Sequence, residues 1–207
     1  MNKPTYKKEN KKKRLPLLRQ PPYTKAKVFF KDGGIASSRF NYDYFSQEMK
    51  YIGEKGDTLV IADEDDINFI TVGTDTFFYN KGYYEWIASS GIARLAVKHT
   101  FKLVGRQSVG PLGISSASTG TEKIGRVYGN GRPYDLLPNE ELVFSKETTF
   151  YISPTKGKKN DFVIANKNNI DKLFPKINIE EFIKHNKINL NKEEDLLSLI
   201  VYISKTN

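Results

Sequence analysis

Residues 36 to 44 read ASSRFNYDY, and Phe40, Tyr42 and Tyr44 fall at every second position. That spacing puts all three rings on one face of an extended chain, whereas a helix would scatter them. The same pattern recurs outward from this stretch. Upstream, residues 26 to 30 (AKVFF) lead into Lys31-Asp32-Gly33-Gly34, a polar turn whose glycines accept positive φ. Downstream, Met49-Lys50-Tyr51-Ile52 reaches the turn Gly53-Glu54-Lys55-Gly56-Asp57 and resumes at residues 58 to 61. Further strands are predicted over residues 67 to 72, 76 to 79, 83 to 89 and 94 to 104. The turns between them are Gly73-Thr74-Asp75, Asn80-Lys81-Gly82 and Ser89-Ser90-Gly91. Short strands in close succession predict a mainly β fold, an antiparallel meander forming a small barrel or sandwich.

Residues 105 to 141 interrupt this rhythm. They hold Gly105, Gly110, Gly113, Gly120, Gly125, Gly129 and Gly131 and the tract Ser115-Ser116-Ala117-Ser118-Thr119, and so predict a long Gly/Ser-rich loop of the functional kind. Strands are expected again at residues 142 to 144, 148 to 153 and 162 to 165. A short helix follows over residues 168 to 174, stopped by Pro175. Asn178 and Asn191 each stand three residues before a glutamate, Glu181 and Glu194, which predicts two further capped helices. Leu196, Leu197, Leu199, Ile200 and Ile203 form an apolar stripe suited to packing on a sheet. The expected organisation is a basic tail over residues 1–24, an antiparallel β domain over 25–166 and a C-terminal helical segment over 167–207.

Charge is concentrated at one end. The 207 residues carry 33 Lys and Arg against 24 Asp and Glu, a formal charge of +9. Residues 1–27 hold ten bases and one acid, Glu9, so they account for 10 − 1 = +9. The remainder has 33 − 10 = 23 bases and 24 − 1 = 23 acids and is neutral. A basic folded face of the nucleic-acid-binding kind is therefore not indicated. The arm itself, with Pro16, Pro21 and Pro22 at its exit, is expected to be disordered. Contact with nucleic acid or anionic lipid through residues 1–27 is its alternative role, with steep salt dependence. Leu15 to Leu18 is too short for the apolar core of a secretory leader and is interrupted by Pro16, so the sequence as written shows no export signal. It also has no apolar run long enough for a membrane-spanning helix.

Motifs for catalysis are absent. Without Cys, zinc ribbons and thiol chemistry cannot be written, and His99 and His185 have no second ligand near them in sequence. Asp63-Glu64-Asp65-Asp66 lacks the turn glycine and distal glutamate of a calcium loop and reads as a solvated turn. Gly120-Thr121-Glu122-Lys123-Ile124-Gly125 has the glycine spacing of a phosphate loop, but Arg126-Val127 follows where Lys and Ser or Thr are needed. No metal, no cofactor and no catalytic residue is expected. An enzymatic site would require Asp65, Asp66, His99 and Asp135 to converge in a pocket.

Aromatics remain as candidates for recognition. Phe77, Phe78 and Tyr79 precede a turn, and Tyr83, Tyr84 and Trp86 follow it, so successive rings must point to both faces of the sheet. One face is core, and the other is a covered layer or an exposed patch that binds sugars or partners. The candidate binding residues are Tyr83, Tyr84 and Trp86 on this strand, with Tyr128, Arg132 and Tyr134 in the long loop.

The sequence also resembles a known family. Asn41-Tyr42 to Glu48-Met49, the segment YYEWIASSGIARLAVKHTF, and the pair formed by residues 166 to 174 (NKNNIDKLF) and Glu193-Glu194-Asp195-Leu196-Leu197 are similar to exported β-rich proteins of Bacteroidota. The likeness spans residues 22 to 204. That family has no established activity or functional residues to transfer. The resemblance implies a periplasmic or outer-membrane-associated location. Together with the missing catalytic groups, it leads to the expectation of a non-enzymatic accessory protein of the cell envelope that binds a protein or a glycan. The alternative is a cytoplasmic nucleic-acid-binding protein that uses the Lys-rich arm and an aromatic β surface.

Overall fold

A computed structural model describes residues 23–108, 125–129, 132–136, 140–155 and 161–206. The strands are β1 (Thr24–Phe30), β2 (Ile35–Asp43), β3 (Glu48–Ile52), β4 (Thr58–Val60), β5 (Ile67–Val72), β6 (Asp75–Tyr79), β7 (Tyr83–Ser90) and β8 (Ala93–Ser108). They are followed by β9 (Gly125–Gly129), β10 (Arg132–Leu136), β11 (Glu140–Pro154) and β12 (Val163–Ile164). Three helices close the chain: α1 (Lys167–Leu173), α2 (Ile179–Asn186) and α3 (Glu193–Thr206). Strands occupy 48% of the chain against these short helices, so the fold is mainly β as the sequence predicts.

Ten strands form one antiparallel sheet in the order β12-β11-β8-β7-β6-β5-β1-β2-β3-β4, and β9 and β10 make a separate ribbon. The chain first runs by hairpins from β1 to β4. It then crosses back to place β5 on the free side of β1 and continues by hairpins through β8. Two meander arms thus share the β1–β5 seam. Turn chemistry explains the hairpins: Val72 pairs with Asp75 across Gly73-Thr74, and Gly73 has φ +60°.

The inner face follows the period of two. Val28 of β1, Phe40 and Tyr42 of β2, Met49 of β3, Ile70 of β5, Phe77 of β6, Tyr83 of β7 and Phe101 of β8 form one buried cluster. Residues so distant along the sheet can meet only if it rolls over on itself. The turn between β2 and β3 shows how. Asp43 Oδ1 accepts the N–H groups of Phe45 (2.8 Å) and Ser46 (3.2 Å), and its Oδ2 lies 2.7 Å from Lys50 Nζ. The turn so fixed is pressed onto the β8–β11 ribbon. Phe45 packs edge-on against Phe144 at 4.8 Å, and Gln47 Nε2 donates to His99 O at 2.8 Å. The end strands β4 and β12 are not paired with each other, so the sheet rolls without closing into a barrel.

Helices cover the other end of the same inner face. Ala93 and Leu95 share the odd-numbered side of β8 with Phe101, and with Ile152 of β11 they pack against Leu196, Leu199, Ile200 and Ile203 of α3. These four helical positions fall at intervals of three and four, the stripe read from the sequence. Asn178 caps α2 as expected. Its Oδ1 accepts from Glu181 N, and its Nδ2 donates to Glu181 Oε2 at 2.8 Å. At α3 the expected cap is displaced: the helix starts at Glu193, Asn191 N–H bonds Asn189 Oδ1, and Asp195 Oδ2 accepts from Asn189 N.

Gly91 joins β7 to β8 at φ +52°, and a Cβ there would come within 2.3 Å of Ser204 Oγ and 3.4 Å of the Ser204 Cα on α3. Gly91→Ala is therefore expected to cost roughly 2 kcal/mol or more, combining left-handed strain with a clash against the Ser204 Oγ and Cβ on α3. Urea denaturation checks this; an unchanged midpoint would contradict this docking of α3.

Two expectations about residues 105 to 141 and 142 to 153 are corrected. β8 continues to Ser108, β11 begins at Glu140, and β9 and β10 lie between them, so strands occupy part of the expected loop, while its residues 109–124, 130–131 and 137–139 lie outside the described ones. Residues 142 to 153 form one strand rather than two, since Ser145-Lys146-Glu147 pairs with Lys102, Phe101 and Thr100 of β8. A polar tract persists as strand because a partner strand far upstream satisfies its backbone.

Candidate binding surface on the outer face

Alternation along β7 separates the predicted aromatic residues. Tyr83 points into the core and is 1% exposed, which removes it as a surface contact. Tyr84 and Trp86 point to the outer face, where Trp86 is 40% exposed. Trp86 pairs with the fully buried Ala96 of β8, which pairs in turn with Tyr151 of β11. Ala96 thus lies beneath the surface between two aromatic positions.

Cross-strand register extends this into a row. Phe29 of β1 stacks on Phe69 of β5 at 4.3 Å, and Phe69 meets Phe78 of β6 at 6.1 Å. Phe162, which precedes β12, fits between Phe78 (5.8 Å) and Tyr84 (5.2 Å). Tyr84 then meets Tyr151 edge-on at 4.9 Å. Cations sit against the rings. The Lys98 ammonium lies 4.4 Å from the Tyr84 centroid, and the Arg94 guanidinium lies 5.7 Å from Phe78 and 5.6 Å from Phe162. Burial pushes the pKa of Lys98 and of Arg94 down and those of Tyr84 and Tyr151 up. The sequence reading missed Phe29, Phe69, Lys98 and Tyr151 because each lies on a different strand and only register brings them together.

A basic margin adjoins the row. Lys25 pairs with Arg39 across β1 and β2, and Lys27 pairs with Ser37 on one side and Thr71 on the other. These residues line a shallow groove of about 680 Å³. Lys25 and Lys27 belong to the basic stretch found in the sequence, so part of it is strand rather than tail.

Asp65, Asp66 and His99 form no shared cluster among the described residues. Asp65 and Asp66 sit in a 3-10 turn leading into β5, whereas His99 lies three strands away on β8 with Nδ1 3.0 Å from Thr148 Oγ1. Among the described residues no group of three or more His, Asp or Glu could hold a metal ion. Among them, too, no helix is long and apolar enough to cross a membrane. Tyr128, Arg132 and Tyr134 lie on the β9–β10 ribbon, where Tyr128 pairs with Pro133 and Tyr134 with Val127. Their side chains, like that of Asp135, are outside the described residues.

Behind the sheet lies a polar layer of tyrosines. Tyr42 donates to Gln47 Oε1 at 3.1 Å and Tyr44 to Glu85 Oε2 at 2.8 Å. Burial, followed by the Asp43 charge, pushes the Tyr42 pKa far above its ordinary value. Burial and Glu64 do the same to Tyr83 and raise Tyr79 to about 12. The raised values keep the Tyr42, Tyr79 and Tyr83 hydroxyls protonated at neutral pH.

No family model, no curated protein and no solved structure was found to match the chain.

Proposed function

We propose that this chain is a non-enzymatic binding protein of the cell envelope whose recognition surface is the outer face of the sheet, with a glycan chain as its ligand. The supporting observation is the ring row that runs from Phe29 to Tyr151 across the outer face, with Trp86, 40% exposed, on that same face. Sugar rings present C–H faces that stack on an exposed indole, and their hydroxyls bond to polar groups at its margin. Trp86→Ala is expected to weaken glycan binding at least about tenfold, in the range of a lost aromatic anchor, while leaving the thermal midpoint nearly unchanged. Glycan-array binding followed by calorimetry on the positive ligand checks this. Equal binding by the variant would remove Trp86 as the anchor.

A second reading is supported by Lys25, Lys27 and Arg39 lying on the same face. Together with the basic residues before them, they would suit a single-stranded nucleic acid bound by a cytoplasmic protein. Binding that falls steeply with salt and is lost on deleting residues 1 to 22 would favour this reading over the first.

A further inference from the structure

We infer that the inner face of the sheet carries a second, separate site: an apolar cleft that takes a small hydrophobic ligand bearing a positive charge. The cleft has a volume of about 480 Å³, within the range of small-molecule sites. Topology creates it. The chain leaves β4 at one edge and must pass over β3, β2 and β1 to add β5, so residues 61–66 bridge the open end of the roll. The bridge is tied down at its far end, where Lys31 N–H bonds Asp66 O at 2.8 Å and Lys31 Nζ donates to Asp65 O. Between bridge and sheet lies the cleft.

Its walls are Phe30, Phe40, Tyr51 and Ile61, with Phe40 and Tyr51 stacked at 5.4 Å. Ser38, also in the lining, has its hydroxyl committed to Ile52 O at 2.9 Å. The charged side chains of the lining are Glu54 and Asp63, both exposed, and neither forms an ion pair among the described residues. The aromatic walls and the two carboxylates of the lining select the same ligand feature. An ammonium group gains from the ring quadrupoles and from the carboxylates, whereas an anion is repelled by both. The occupant is thus an apolar amine or quaternary ammonium compound. This site lies on the opposite face of the sheet from Trp86 and does not depend on the function of that surface.

The test uses two fluorescent probes with one ring system, a naphthalene carrying trimethylammonium and a naphthalene carrying sulfonate, titrated against the full chain. The cationic probe is expected to bind about tenfold more tightly, a difference of about 1.4 kcal/mol. Ala36 and Ala62 line the cleft and are exposed, so Ala36→Phe and Ala62→Phe each fill it from a different side without crowding the core. Either substitution should abolish binding with the melting temperature retained. The double change Glu54→Gln and Asp63→Asn should level the two affinities, and Trp86→Ala should leave both unchanged. The proposal is overturned if the sulfonate binds as well as the cation, if neither probe binds, if binding survives either filling variant, if the double carboxylate change leaves the preference intact, or if Trp86→Ala removes binding.

Discussion

Phe45→Ala is expected to cost about 3–5 kcal/mol, the range for a buried phenylalanine, out of a total stability of order 5–15 kcal/mol. Phe45 is 3% exposed although it lies in a four-residue turn, because that turn docks on the β8–β11 ribbon through Phe144. It shares that role with Tyr44, which meets His99 and Phe101 and donates to Glu85, with Tyr42 against Phe77 and Tyr83, and with Gln47 onto His99 O. Removing the ring leaves a cavity at the point where the roll is fastened. Two measurements follow. Denaturant unfolding gives the free energy, and amide hydrogen exchange should show faster exchange at residues 97–101 and 144–148 while α1 to α3 keep their protection. Loss of protection in the helices as well, or a cost below about 1 kcal/mol, would show that Phe45 does not hold the arms together.

Alkaline pH should unfold the protein through its tyrosine layer. Tyr42 and Tyr83 are buried, and their pKa values lie far above the ordinary 10.0. In the unfolded chain both hydroxyls ionise near that ordinary value, so above pH ~10 the folded state binds more protons than the unfolded one. Stability from these groups is therefore intact below pH ~10 and falls as pH rises beyond it, by about 1.4 kcal/mol per pH unit for each, or close to about 3 for the pair. Tyr79, raised to about 12, acts in the same direction but is less buried and adds less. The expected result is a jump in tyrosinate absorbance coincident with loss of near-ultraviolet ellipticity. Tyr42→Phe and Tyr83→Phe should each flatten the fall in stability with pH. Smooth ionisation of every tyrosine with the fold intact would contradict the buried layer.

Register explains what could and could not be read from the residues. Phe40, Tyr42 and Tyr44 announce an inner face because the period of two is a property of one strand. The cap at Asn178 and the stripe from Leu196 to Ile203 are likewise local, so both appear in the structure as the sequence implied. The polar tract Ser145-Lys146-Glu147 looked like an interruption because its partners on β8 lie about 45 residues upstream. The outer surface was half legible. Tyr84 and Trp86 could be proposed from their own strand, but separating them from Tyr83 required knowing which face the core takes.

The sequence by itself determined the mainly β class, the hairpin turns, the helical end and the lack of a recognisable catalytic motif, since each depends on side chains within a few residues of one another. Only the tertiary structure decided that the sheet rolls without closing, that β5 returns to pair with β1, and that Phe29, Phe69, Tyr84 and Tyr151 line up across strands. It alone revealed the cleft beneath residues 61–63. Those features depend on which strands pair and on how the paired sheet twists back over its own core, and contacts across 20 to 80 residues leave no periodic trace in the chain that makes them.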